Sequence, residues 1–293
     1  MNWTASFAMH IMENPLISDV NQLPKIGLAL GGGVVRGFAH LGVVAALEEA
    51  GLPIHCVTGS SAGSLVGAIY SAGIPISTAL ADASKLAWHK IVSLAWPSRG
   101  FFSFDPLEKW LIYTLGNINI EDLPKSYAAV ATDLDTGELI VLHQGKLAPA
   151  VRASCSVPGF FVPREIDGRL LGDGSLVESI PSSVARQLGA EYVIGVDILT
   201  PTVREGWGAL AYGIDALEIV IQRAGGGYQE ADCLIRPALA GHTYLRFSKV
   251  NELYELGRLA AQEALPKISA DLERLAGGPD HRLTSRSDGD LLD

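Results

Sequence analysis

Between Glu49 and Asp82 the chain carries no Asp, Glu, Lys or Arg. A stretch of that length either crosses a bilayer or is buried inside a folded domain. Its composition favours the second. Gly59, Gly63, Gly67, Gly73, Pro53 and Pro75 interrupt it, with serines between them. The pattern predicts a buried strand over 54–58, a sharp turn, and a buried helix over 64–72 stopped by Gly73. A matching unit lies upstream. Residues 25–30 are an apolar strand running into Gly31-Gly32-Gly33, and 38–50 place Leu41, Val44, Ala45 and Leu47 at helical spacing before Gly51. Strand, glycine loop, helix, strand, tight turn, helix is the rhythm of a parallel sheet covered on both faces.

The remainder is less regular. An amphipathic helix is expected over 105–115, and a strand pair over 127–131 and 139–143 joined through Asp135-Thr136-Gly137. Another buried strand is expected over 192–197 and a long last helix over 251–275. Residues 1–22 read as an irregular arm and the polar 277–293 as a disordered tail, leaving 23–276 as one domain. The net charge of −10 speaks against nucleic acid as a partner. It also disfavours a broad basic face for anionic lipid, while leaving room for a local basic patch and transient contact with a membrane surface. Cys56, Cys155 and Cys233 are far apart and odd in number, which predicts buried thiols rather than disulfides or a zinc site. The start of the chain lacks a basic-then-apolar leader, so a soluble cytoplasmic protein is expected.

Gly59-Ser60-Ser61-Ala62-Gly63 fits GxSxG, and its position between an apolar strand and an apolar helix makes it informative. A serine on that turn has small neighbours that permit a strained backbone, and the helix behind it favours developing negative charge. The Gly31 to Gly37 run fits neither nucleotide fingerprint. Arg36 stands where the dinucleotide motif needs Gly, and Phe38 follows Gly37 where a phosphate loop needs Lys. Outward-pointing amides for a tetrahedral oxyanion suit it better. Arg36 would tie this loop down or meet an anionic substrate group, while His40 is expected to pack. Asp133-Leu134-Asp135 with Glu138 lacks the calcium-loop pattern and reads as a hairpin turn with solvated acids. Neither a metal nor a cofactor is expected.

A serine hydroxyl needs a group to take its proton. Among the histidines, His55 falls in the strand before the elbow and is expected to be buried. His242 alone is placed for the order Ser, acid, His. The other candidate is Asp173, in Gly172-Asp173-Gly174-Ser175, where flanking glycines let a carboxylate project. Desolvation would raise its pKa and make it a better base. Both bases remain open on the residues alone.

Taken together, Gly31-Gly32-Gly33-Val34-Val35-Arg36-Gly37, Gly59-Ser60-Ser61-Ala62-Gly63, 131–137, Val151 to Gly159 and Asp173-Gly174 resemble the patatin-like phospholipase family over about residues 25–200. The resemblance implies a three-layer α/β/α fold with a mainly parallel central sheet. It implies a Ser–Asp dyad of Ser61 and Asp173, an oxyanion loop with Gly32, Gly33, Arg36 and Gly37, fatty-acyl ester substrates and no cofactor. Ser175 departs from the family's usual Gly or Ala. Two other functions stay open: an esterase using His242, and a regulatory or adaptor protein with weak catalysis. Trp88, Trp96, Phe101, Phe102, Phe104 and Trp110 form an aromatic-rich stretch expected to be either core or a lipid-facing lid.

Overall fold

Ile26, Leu28 and Leu30 alternate with Gly27 and Ala29, and this alternation sorts the interior of the molecule. The computed structural model describes residues 23–96, 99–199, 208–242 and 246–276. The expected arm over 1–22 and tail over 277–293 lie outside them. In chain order the elements are β1 (Ile26–Leu30), a 3-10 turn (Val34–Gly37), α1 (Phe38–Glu49), β2 (Ile54–Ser60), α2 (Ala62–Ser71), α3 (Ile76–Ala83), α4 (Trp88–Ile91), β3 (Ser93–Leu94), β4 (Gly100–Ser103), α5 (Asp105–Leu115), β5 (Ser126–Asp133), β6 (Leu139–Leu142), α6 (Leu147–Cys155), β7 (Gly159–Phe161), β8 (Arg164–Ile166), β9 (Arg169–Asp173), a 3-10 turn (Gly174–Leu176), α7 (Ser182–Gln187), β10 (Tyr192–Val196), α8 (Gly208–Arg223), α9 (Gly227–Glu230), β11 (Cys233–Ile235) and α10 (Val250–Ala276).

β11, β10, β1, β2 and β5 lie side by side and parallel. One face of these strands presents Ile26, Leu28, Leu30, Ala129, Ala131, Ile194 and Val196 to the large core beneath α1, α2, α6 and α10. The other face presents Ala29, Val193, Ala128 and Val130 to Val184 and Ala185 of α7. Strands covered on both sides must be apolar at every position, as the burial of all five residues of β1 and of β10 shows. The result is the expected three layers around a mainly parallel sheet. α1 is buried around nearly its whole circumference because α10 packs over the face that the sheet leaves free.

Strand β5 positions the site, paired along both of its sides. β6 pairs antiparallel with it at 129–132 and so occupies one edge. The other edge is shared. β2 runs along it as far as Ser60 opposite Val130. β9, running the other way, takes over with Asp173 opposite Ala131. β2 and β9 therefore meet end to end. β8 joins β9 through Asp167-Gly168, both at positive φ (51° and 75°), the geometry of a tight two-residue hairpin turn. Sequence reasoning missed this hairpin, although Asp-Gly is its signature.

Two expectations need correction. His55 is exposed, not buried. It is the second residue of β2, at the end of the strand far from the elbow. Asp133 is buried rather than solvated. Its Oδ1 accepts from the amides of Asp135 (3.0 Å) and Thr136 (3.3 Å), and its Oδ2 from Arg169 (3.0 Å). These bonds hold the carboxyl below the usual range. The charge-free stretch is β2, α2 and the start of α3. Among the described residues no helix is long and apolar enough to cross a membrane.

Candidate active site

β2 passes into α2 through Ser61, whose φ of 50° and ψ of −122° lie where an L-residue is strained by about 1–3 kcal/mol. Hydrogen bonds from two segments keep it there. Its amide donates to Ser154 Oγ (2.9 Å), and its carbonyl accepts from Ser64 Oγ (2.7 Å) and from Cys155 Sγ (3.3 Å). Gly59 and Gly63 are required by close approach: a Cβ on Gly63 would strike the Leu30 carbonyl, and one on Gly59 would strike the Gly63 backbone.

Asp173 arrives at the same place from β9. Its amide donates to the Ser156 carbonyl (2.9 Å), and its carbonyl accepts from Thr132 Oγ1 (2.8 Å). The side chain is buried. Its Oδ1 accepts from the Ser175 amide (2.9 Å), and the Ser61 and Ser175 hydroxyls stand beside it and favour its charged form. Burial pushes the carboxyl up to about 6, with these groups opposing the rise. Ser60 Oγ lies 2.8 Å from Ser175 Oγ.

The glycine loop is anchored from behind. Arg36 is fully buried and donates Nε (3.1 Å) and Nη2 (2.5 Å) to the His242 carbonyl. Of its two expected uses, this is the tie; a guanidinium so enclosed offers no surface to a substrate group. His40 packs, as expected, with Nε2 donating to the Gly31 carbonyl (2.8 Å). Burial lowers its pKa to about 4 and keeps it neutral. Gly31 is not an available oxyanion donor, because its amide is committed to the Val196 carbonyl (3.0 Å) as the sheet continues. The amides of Gly32 and Gly33 donate to no protein acceptor among the described residues. A Cβ on Gly32 would stand 3.2 Å from Ser61 Cβ, which measures how near the loop comes. Val34, a β-branched residue at φ 53°, is the other strained position here.

Ser61 sits in the wall of an apolar cavity of about 720 Å³, counting its open mouth. Val34, Val35, Gly37 and Phe38 come from the loop side, Leu65 and Val66 from α2, and Leu107 from α5. Trp88, Phe104, Phe161 and Phe247 supply rings. The aromatic stretch thus divides. Trp88 and Phe104 face the cavity, Trp110 is half-buried, and Trp96, Phe101 and Phe102 are exposed. His242 does not reach Ser61: its ring faces Glu252, with Nδ1 3.8 Å from Oε1. Among the described residues no group of three or more His, Cys, Asp or Glu could hold a metal ion. Sequence reasoning did not find the support given by Thr132 and Ser154, nor Phe247. The first two sat unmarked within quoted motifs. Phe247 carries no local signal at all.

A serine at a strained strand-to-helix turn, with a buried carboxylate beside it and an apolar cavity before it, stands on an α/β fold with a mainly parallel sheet. The chain belongs to the patatin-like phospholipase family, whose profile matches residues 28–186. It is 38% identical over 178 residues to an uncharacterised NTE family protein of Mycobacterium tuberculosis, covering 60% of this chain and 49% of that one. It is 29% identical over 303 residues to lysophospholipase NTE1 of Coccidioides immitis, covering 87% of this chain and 19% of the relative. The chain therefore spans about half, or much less, of the length of these relatives. Among solved structures it resembles VipD from Legionella pneumophila, with a TM-score of 0.50 at 14% identity over 83% of this chain and 67% of that one. That likeness concerns the fold.

Proposed function

We propose that this protein hydrolyses carboxylic esters of lipids, with Ser61 as nucleophile and Asp173 as general base. The observation that carries the proposal is the end-to-end meeting of β2 and β9 on β5, which brings the strained Ser61 and the buried Asp173 together at the wall of an apolar cavity. Asp173 takes the hydroxyl proton as Ser61 Oγ bonds to the acyl carbon. The amides of Gly32 and Gly33 receive the oxyanion, and each such donor is worth about 3 kcal/mol of barrier. The tetrahedral species collapses, and the leaving alcohol takes the proton from Asp173. Water then attacks the acyl-serine, Asp173 accepts its proton, and the released acid leaves Ser61 restored. An apolar cavity suits a fatty-acyl chain. The relative named a lysophospholipase supports a glycerolipid as the physiological class.

The test is hydrolysis of p-nitrophenyl esters. Ser61→Ala and Asp173→Asn are expected to lose at least about 10³-fold in kcat/KM, and His242→Ala to retain turnover. Activity in Asp173→Asn with none in His242→Ala would overturn the assignment of the base.

A further inference from the structure

Three strongly exposed large apolar side chains lie in one short region. Leu94 is 85% exposed, Trp96 86% and Phe101 60%. β3 pairs antiparallel with β4, and β4 pairs parallel with β7, so a small second sheet stands apart from the main one and presents these residues. Single exposed hydrophobes are ordinary; a cluster rimmed by charge marks a contact surface. We propose that this sheet is the face by which the protein docks on an anionic lipid bilayer, with the cavity opening toward it.

Two observations select that occupant. The first is charge. In a chain of net charge −10, no Asp or Glu falls between Asp82 and Asp105, whereas Lys85, Lys90 and Arg99 do. Lys85 pairs with Asp82. Among the described residues no carboxylate lies within ion-pair distance of Lys90 or Arg99. The next two acids, Asp105 and Glu108, are neutralised by Arg152 and Arg164. The second is continuity. The exposed Phe102 ring meets Phe161 at a centroid distance of 6.0 Å, and Phe161 stacks on Phe104 at 3.9 Å. Phe161 and Phe104 line the cavity. One aromatic surface thus runs from solvent to the chamber that holds Ser61. Trp beside cations is the side-chain chemistry of the headgroup layer.

The role of this face in supplying substrate rests on the lipid-ester reading of the cavity, and the test separates the two. Flotation uses the full chain and vesicles of ether-linked phosphatidylcholine, with or without ether-linked phosphatidylglycerol, which an esterase cannot cleave. Turnover of a soluble short-chain ester is measured alongside. Wild type is expected to float with the anionic vesicles, with a blue shift of tryptophan emission, and to be released at about 0.5 M salt. Trp96→Ser/Phe101→Ser is expected to lower the bound fraction at least about tenfold while keeping soluble-ester turnover. Lys90→Glu/Arg99→Glu is expected to do the same. Absence of flotation by wild type, or equal flotation by both double variants, overturns the docking face. So does a dimer seen by light scattering that dissociates in Trp96→Ser/Phe101→Ser, since a second copy would then cover it. Flotation with no ester turnover by wild type keeps the docking face and defeats the hydrolase.

Discussion

At Asp173 the environment opposes the charge that the proposed chemistry requires. Burial raises the carboxyl to about 6, so the base form fills as pH rises, and kcat/KM is expected to climb through about pH 6 and level off above it. The Ser175 hydroxyl beside the carboxylate favours the charged form. Ser175→Ala is therefore expected to move the acid limb upward, reducing the rate at pH 5 severalfold while leaving that at pH 8 nearly unchanged. A pH profile that does not move would make Ser175 merely a packing residue. The same shift bears on stability. The folded pKa lies above the unfolded value of 3.8, so the native state holds the extra proton between about 4 and 6. The stabilisation from that proton is complete below about 4 and lost as pH rises through about 6. Asp173→Asn is neutral at every pH. It is expected to be inactive yet more stable than wild type at pH 8, by at most about 3 kcal/mol, with little difference at pH 4. Denaturation at the two pH values measures this.

Among the elements, α1 and α10 cross with their backbones in close contact. A Cβ on Gly42 would strike the Tyr254 carbonyl, and one on Gly257 the Ala39 carbonyl, so the two backbones touch where each helix carries a glycine. Either Gly42→Val or Gly257→Val is expected to cost about 3 kcal/mol or more, because backbone cannot yield as a side chain does; a fall in the thermal midpoint of less than a degree would contradict this. The helices and central strands were legible because each has its own period and its own stop. α1 and α5 fall within a residue of the sequence reading, while α2 begins at Ala62, two residues early, because Ser61 supplies its first carbonyl acceptor. The small sheet was not legible. Strands of two to four residues carry no usable alternation, and β4 and β7 are far apart in sequence. The Ser61–Asp173 pairing came only through family resemblance, since it depends on register along β5 rather than on any local pattern. Asp133 was misread because its acceptors' partners, two amides of its own turn and Arg169, emerge only when β5, β6 and β9 are assembled.

Across the whole molecule, burial is graded from the sheet outward. β1, β2, β5 and β10 are enclosed on both faces, whereas β3 and part of β4 are exposed. Hydrogen exchange is expected to protect amides of the first group longest, by several orders of magnitude over β3 and β4; equal protection would mean that the small sheet opens only with the whole fold. The end-to-end meeting of β2 and β9 bears on how such a chain can diversify. The spacing of Ser61 and Asp173 is gauged by a single step along β5, from Val130 to Ala131. The segment 72–125, which gives the cavity Leu86, Trp88, Ile91, Phe104 and Leu107, makes none of the hydrogen bonds described above at Ser61 and Asp173. It can be lengthened or exchanged for a differently shaped wall while Ser61 and Asp173 keep their distance. One residue inserted between Val130 and Ala131 would part the pair by about 3.3 Å. Cavity shape and the Ser61–Asp173 spacing thus belong to separately replaceable stretches of chain, with an eight-residue strand as the ruler for the second.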